Sequence, residues 1–425
     1  MFTPEKAIRR TNFYTRSIFT VPLVLLLSLL SIVCNGQTLE DYLAKGLKNS
    51  PFLKDYSTRL QSQAIDSLKV LAGFKPQIGV AADLMYPPAI GRFAYDSAIT
   101  NGGYYAALLR VDQPLFFKKI AQIHLQSVFI QKLTTENNLK ITETDLKEAI
   151  TAQYITAYAD FSQVQFEKVI LTMFKDQQMV LKLLVEQGIY QQTDYLNLTV
   201  NITSRSIFGK QAHRQYKNDL AILNLLCGIH DTTTVELKKP DLLVRNSFDI
   251  STSPNMVQFK IDSLKNMNEQ LLIDLDYRPR FAAFADAGIN AVNPRRLPYN
   301  LGTSIGLSFT MPLYNGKQRQ LEHKKVSLSE NTRAQYRSYF ENRYQQQKDL
   351  LFEQLILTDD LISDIKNQLT GLEKLITLYK IETNKGMVRW LDFLSVVNNY
   401  AQTRNELTQS EINRLQIINQ LNYLK

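Results

Sequence analysis

The stretch from Lys118 to Gln187 contains neither glycine nor proline, so nothing in it obliges a helix to stop or kink. At about 1.5 Å per residue a single helix over these residues would run roughly 105 Å, too long for a compact domain. Within it Leu146, Ile150, Tyr154, Ala157, Phe161 and Val164 recur at alternating spacings of four and three, a seam for packing against another helix. Lys147, Glu148, Gln153, Asp160 and Gln163 occupy the other face. The helix is therefore wet on one side and is not a membrane span.

This stretch has an echo. From Lys317 to Lys385 runs another long segment, interrupted only by Gly371, with Ile362, Ile365, Leu369, Leu372, Ile376 and Tyr379 at the same spacings. Residues 198 apart then match: Pro114 with Pro312, Leu115 with Leu313, Gly188 with Gly386, Asp194 with Asp392, and Leu196 with Leu394. The chain reads as a tandem repeat. The first repeat is expected over 37–227 and the second over 254–425, with an irregular equatorial segment, 228–253, between them.

Residues 1–36 read as a secretory signal. Lys6, Arg9, Arg10 and Arg16 precede an apolar core from Val21 to Val33, and Gly36 supplies a small residue before Gln37. Acylation at Cys34 is the competing reading, although Val33 stands where that signal calls for a small residue. Loss of the segment removes those four basic residues and Glu5, lowering the formal charge from +9 to +6. Lys and Arg are interspersed with Asp and Glu along the helices, the pattern of a solvated surface and not of a nucleic-acid site. Cys227 would then be the one remaining cysteine, which excludes an intramolecular disulfide and a cysteine metal cluster. A mean hydropathy of -0.20 excludes a chain made of many membrane-spanning helices.

Each repeat has the same order of elements. Gln37 to Ala72 reads as a short helix interrupted at Pro51, followed by a β-hairpin over 77–113, the long helix 118–187 and a short helix 190–226. The second repeat has a short helix from 255 to 276, a hairpin over 280–312, the long helix 317–385 and a short helix 387–425. In the hairpins the period changes to two. Ile78, Val80, Ala82 and Leu84 alternate with Gly79, Ala81, Asp83 and Met85, and Tyr105, Ala107, Leu109 and Val111 leave Arg110 on the other face. Ile305, Leu307, Phe309 and Met311 likewise alternate with Ser304, Gly306, Ser308 and Thr310. Strands with one apolar and one small polar face suit a transmembrane barrel, lipid outside and water inside. A soluble hairpin packed on a core is the alternative reading of the same strands.

Four strands cannot close such a barrel, and two unpaired edges in lipid would be prohibitively costly. A membrane reading therefore requires further copies of the chain. The rival architecture is a periplasmic or surface coiled-coil interaction protein whose hairpins merely pack on its helices.

Taken in order, the residues resemble the TolC family of outer-membrane efflux ducts. The resemblance is carried by Leu39, Tyr42 and Ala44 near the start of the first helix, and by Pro76 and Pro279 before the strands. Gln113-Pro114-Leu115-Phe116 and Met311-Pro312-Leu313-Tyr314-Asn315-Gly316 follow the strands, and Gly188 and Gly386 mark the helix tips. It implies a mainly α chain with a long antiparallel α-helical coiled-coil barrel continued by a transmembrane β-barrel, four strands from each member of a homotrimer. It further implies a passive, non-enzymatic outer-membrane channel that spans the periplasm, without cofactor. Its expected partners are a periplasmic adaptor, an inner-membrane transporter and outer-membrane lipid, in efflux or in type I secretion.

The resemblance assigns Gly188, Ile189, Gly386 and Met387 to the periplasmic tips that dock the adaptor, where a left-handed residue ends each long helix. It also matches Asp392 with an aspartate at the family's narrowest entrance, while Ser395 stands where a second aspartate would follow. Asp194 is the repeat equivalent of Asp392, and Arg389 is spaced to pair with Asp392. Plain surface roles remain open for all three. Trp390 reads as helix packing. His124, His213, His230 and His323 lie far apart without a zinc-type spacing, and neither a phosphate-binding glycine loop nor a nucleophile elbow occurs.

Overall fold

The structure is a computed structural model that describes residues 37–93, 103–231, 233–245 and 247–424. The expected signal segment, 1–36, lies outside the described residues, as does 94–102 of the first hairpin loop.

The first short helix is divided. Helix α1, Leu39–Asn49, and helix α2, Pro51–Ala72, meet at Ser50, whose Oγ accepts the Leu53 N–H at 3.4 Å. Pro51 occupies the first helical position, where its missing N–H leaves no bond unmade. At the start of α1, Thr38 Oγ1 accepts the Asp41 N–H at 3.3 Å and Asp41 Oδ2 accepts the Thr38 N–H at 3.1 Å. Strands β1, Gln77–Met85, and β2, Tyr104–Leu115, lead into helix α3, Lys118–Glu186, and then helix α4, Gln192–Leu226. Helix α5, Pro254–Asp276, precedes strands β3, Arg280–Ala291, and β4, Leu301–Thr310; helices α6, Gln318–Asn384, and α7, Trp390–Asn422, complete the chain.

Helices α3 and α6 have 69 and 67 residues, each unbroken, which makes them roughly 100 Å long. Beside the strands the helices are ordered α2, α3, α5, α6; towards the other end the order is α4, α3, α7, α6. The short helices therefore line the long ones end to end, forming a curtain one helix thick. Among the described residues no helix is long and apolar enough to cross a membrane.

The strands form one antiparallel sheet in the order β1, β2, β3, β4, so β1 and β4 are its two open edges. Two strand limits differ from expectation. Strand β2 continues to Leu115, where Leu115 faces Phe281, whereas β4 stops at Thr310, opposite the first residue of β3. Met311, expected among the lipid-facing strand residues, thus lies just beyond the strand, and Pro312 could not donate a ladder bond there.

The largest core lies near mid-height. Leu39 and Tyr42 of α1, Ile150, Tyr154 and Ala157 of α3, and Tyr216, Leu220 and Leu223 of α4 meet there. The equatorial segment crosses this core as extended chain. The Gln37 N–H donates to the Glu236 carbonyl at 3.0 Å, Tyr154 Oη lies 2.7 Å from the Lys238 carbonyl, and Tyr216 Oη donates to that of Val235. Leu237 fills the gap between them, and further along Leu242, Val244 and Phe248 pack against Leu351 and Leu355 of α6.

Candidate functional site

Two regions could carry a function: the faces of the sheet and the turns at its far end. In an antiparallel sheet, residues directly opposite one another project to the same side. The register pairs Val80 with Leu109, Leu109 with Ala287, Ala285 with Ile305, Ala283 with Leu307, and Phe281 with Phe309. One face is thus built of Ile, Val, Leu, Ala and Phe across all four strands together with Tyr105, with Gln113 and Thr303 its polar members. These apolar side chains are not covered: Val80 is 78% exposed, Ile305 87%, Leu307 78% and Phe309 59%.

Every charged residue of the strands falls on the other face: Asp83, Arg110, Asp112, Arg280 and Asp286. Several of them are joined. The Arg110 guanidinium lies 4.4 Å above the Phe284 ring and 3.0 Å from Asp112, while Ser304 Oγ donates to Asp286 at 2.6 Å. Gly302 and Gly306 keep β4 low on this side. The sheet therefore has a greasy side and a charged, hydrogen-bonded side, each continuous across the strands.

At the opposite end, α3 and α6 finish in the same way. Gly188 has a φ of 76° and Gly386 a φ of 72°, backbone that a residue with a side chain adopts only at a cost. The Ile189 N–H donates to the Leu184 carbonyl and the Gly188 N–H to that of Val185, each at 2.9 Å. Met387 and Gly386 repeat the pair onto Glu382 and Thr383, each at 3.0 Å. Both turns leave an apolar side chain in solvent, Ile189 and Met387.

The two turns also touch. A Cβ at Gly386 would stand 2.6 Å from Ile189 Cγ2. Tyr190 Oη shares its proton between the carbonyls of Thr383, at 3.0 Å, and Val388, at 2.8 Å, and its ring meets Trp390 edge-on at 6.5 Å. Trp390, 1% exposed, packs with Phe174, Leu181, Leu198 and Phe393, so it belongs to the core behind the tips. Tyr190 is absent from the expected site residues. Its repeat equivalent is Val388, so the bridge has no echo that a sequence comparison could reveal.

Asp194 and Asp392 occupy the same place, the first turn of the returning helices α4 and α7. Their partners differ. Asp194 Oδ2 accepts the Gln191 N–H at 3.1 Å, capping its own helix, whereas Asp392 accepts both Nε and Nη2 of Arg389 at 3.1 and 3.0 Å. This forked ion pair lies in solvent, with Arg389 82% exposed, and it holds the guanidinium above its ordinary pKa. Among the described residues no group of three or more His, Cys, Asp or Glu side chains could hold a metal ion.

Neither a family model nor a curated protein matches the chain. Solved structures do. The outer-membrane channel OprN aligns at 12% identity with a TM-score of 0.72, over 91% of this chain and 89% of its own. The outer membrane protein VceC of Vibrio cholerae aligns at 13% identity and 0.73, covering 91% and 95%. The open state of the Neisseria gonorrhoeae outer membrane channel MtrE aligns at 11% and 0.71, covering 91% and 88%. At such identities it is the fold that is shared. Over nine-tenths of its length, the chain has the TolC-like fold of these outer-membrane channels.

Proposed function

We propose that this chain is one protomer of a homotrimeric channel of the outer membrane, with four strands from each copy closing one barrel and the long helices forming a duct through the periplasm. The observation that carries the reading is the division of the sheet. All strand charge lies on one face, while the opposite face exposes an apolar surface with open edges on either side. In water that surface would be an aggregation hazard; in a closed barrel it meets lipid and both edges are paired.

The duct is passive and does no chemistry of its own. An inner-membrane transporter and a periplasmic adaptor would deliver small molecules or proteins to the tips, the adaptor docking at Gly188, Ile189, Gly386 and Met387. Asp194, Asp392 and Arg389 would stand around the entrance in three copies. Opening would then act on the exposed Arg389 to Asp392 pair and on the contact between the turns.

Fractionation of membranes, followed by extraction in detergent and mass determination by light scattering, tests the reading. A detergent-dependent trimer in the outer-membrane fraction is the expected result. A monomer or dimer that stays soluble without detergent would replace the channel with a coiled-coil interaction protein.

A further inference from the structure

On the tip side the helix order α4, α3, α7, α6 leaves α4 at one end and α6 at the other. The ring proposed above brings the α6 end of one copy to the α4 end of the next, so this inference rests on that reading.

The two ends carry opposite charge. On α6, Leu351, Leu355, Ile362 and Leu369 are buried, and roughly half a turn around the helix from them Glu353, Asp360 and Asp364 are exposed in one stripe. None of the three joins a hydrogen bond or ion pair among the described residues, whereas their neighbour Asp359 pairs with Arg414 of α7. On α4, Tyr216, Leu220 and Leu223 are buried with α3, and Lys210, Arg214 and Lys217 are exposed and equally without a partner among the described residues.

The stripes also stand at one height. The turns at Gly188 and Gly386 lie side by side, so residues of α3 and α6 that are 198 apart in sequence are level. Glu167 of α3 meets Arg205 of α4 at 3.6 Å, and Gln153 meets Asp219 at 3.0 Å. Both contacts set Lys210 level with Asp360, Arg214 with Ile356, and Lys217 with Glu353. Closer to the tips, the same measure sets exposed Leu196 of α4 level with Lys374 of α6, next to exposed Leu375.

We infer that Glu353, Asp360 and Asp364 of α6 dock against Lys210, Arg214 and Lys217 of α4 in a second copy of this chain. The acidic stripe would repel another α6 and the basic stripe another α4, so the contact joins unlike ends. Repeated head to tail, unlike ends close a ring. The charges also fix the height at which successive copies meet.

The test uses the full chain in detergent, its assembly followed by light scattering at low and high salt. Asp360→Lys with Asp364→Lys should raise the apparent dissociation constant of the assembly about tenfold. Lys210→Glu with Arg214→Glu should do the same. Combining all four substitutions should restore most of the loss, because the exchanged stripes attract again. A combined variant as weak as either half, beside a trimeric wild type, would overturn the seam and leave the channel standing. A wild type that is monomeric in detergent would overturn both. Should the reversed variants fold poorly, Lys210→Cys with Asp360→Cys and a short bis-maleimide should yield covalent dimers and trimers that neither single variant forms, Cys227 being buried. A trimer that yields no such ladder would also overturn the seam.

Discussion

Gly386 meets two demands at one Cα. Its backbone is left-handed, and the place of a Cβ is taken by Ile189 of the neighbouring turn. A side chain there costs about 1–2 kcal/mol in backbone strain, most for a β-branched residue, and pushes the turns apart as well. In the channel proposed above, Gly386→Val should therefore lower export without lowering the amount of assembled trimer, because the strands lie at the far end of the chain. Export assays beside quantified trimer would check this, and unaltered export would remove Gly386 from the docking surface. Gly188 has a similar φ but open space around its Cβ position, so the same substitution there adds strain alone and should have the smaller effect.

At the scale of elements, the proposed channel sets the apolar face of β4 against lipid. Leu307 lies opposite Ala283 on the apolar face and is almost wholly exposed in a single copy. Leu307→Arg should cost about 2–4 kcal/mol near the bilayer midplane, read as reduced folding into lipid vesicles in a denaturant titration. Unchanged folding would count against a lipid-facing β4. The pairing of α3 with α4 carries a different signature. Burial first, then the Asp219 carboxylate on α4, push the Asp160 carboxyl of α3 up to about 7. Its folded pKa thus lies above the ordinary carboxylate value of about 4. The folded state holds the proton more tightly, so the stabilising contribution is complete in acid and is lost as pH rises through about 7. Asp160→Asn removes that dependence. Thermal unfolding from about pH 4 to pH 9 should show the wild type losing stability relative to the variant between about pH 4 and 7 and running parallel to it above, and curves parallel throughout would refute it.

For the whole molecule, the features legible in the sequence were those encoded over one or two turns of chain. An unbroken run of helix formers sets the length of α3, alternation in Ile305, Leu307 and Phe309 sets the faces of β4, and glycine at a helix end permits the left-handed turns. Ser50 and Pro51 show where such signals thin out. The proline was visible as an interruption, but whether the helix bent or divided depended on the Ser50 cap. The limit of β4 was less legible still. Met311 continues the alternation, yet β3 begins at Arg280 and offers it no partner, and pairing between distant strands is not a local property. Tyr190 lay beyond sequence reasoning because its acceptors, the carbonyls of Thr383 and Val388, belong to the other repeat. By itself, then, the sequence determined the lengths of the helices, the sidedness of the strands and the positions of the turns, since each follows from residues close together in the chain. Tertiary structure alone decided which helices are neighbours, that the two tips touch, and that an acidic and a basic edge stand at one height. Those arrangements arise from packing between segments from tens to hundreds of residues apart, which no local period records.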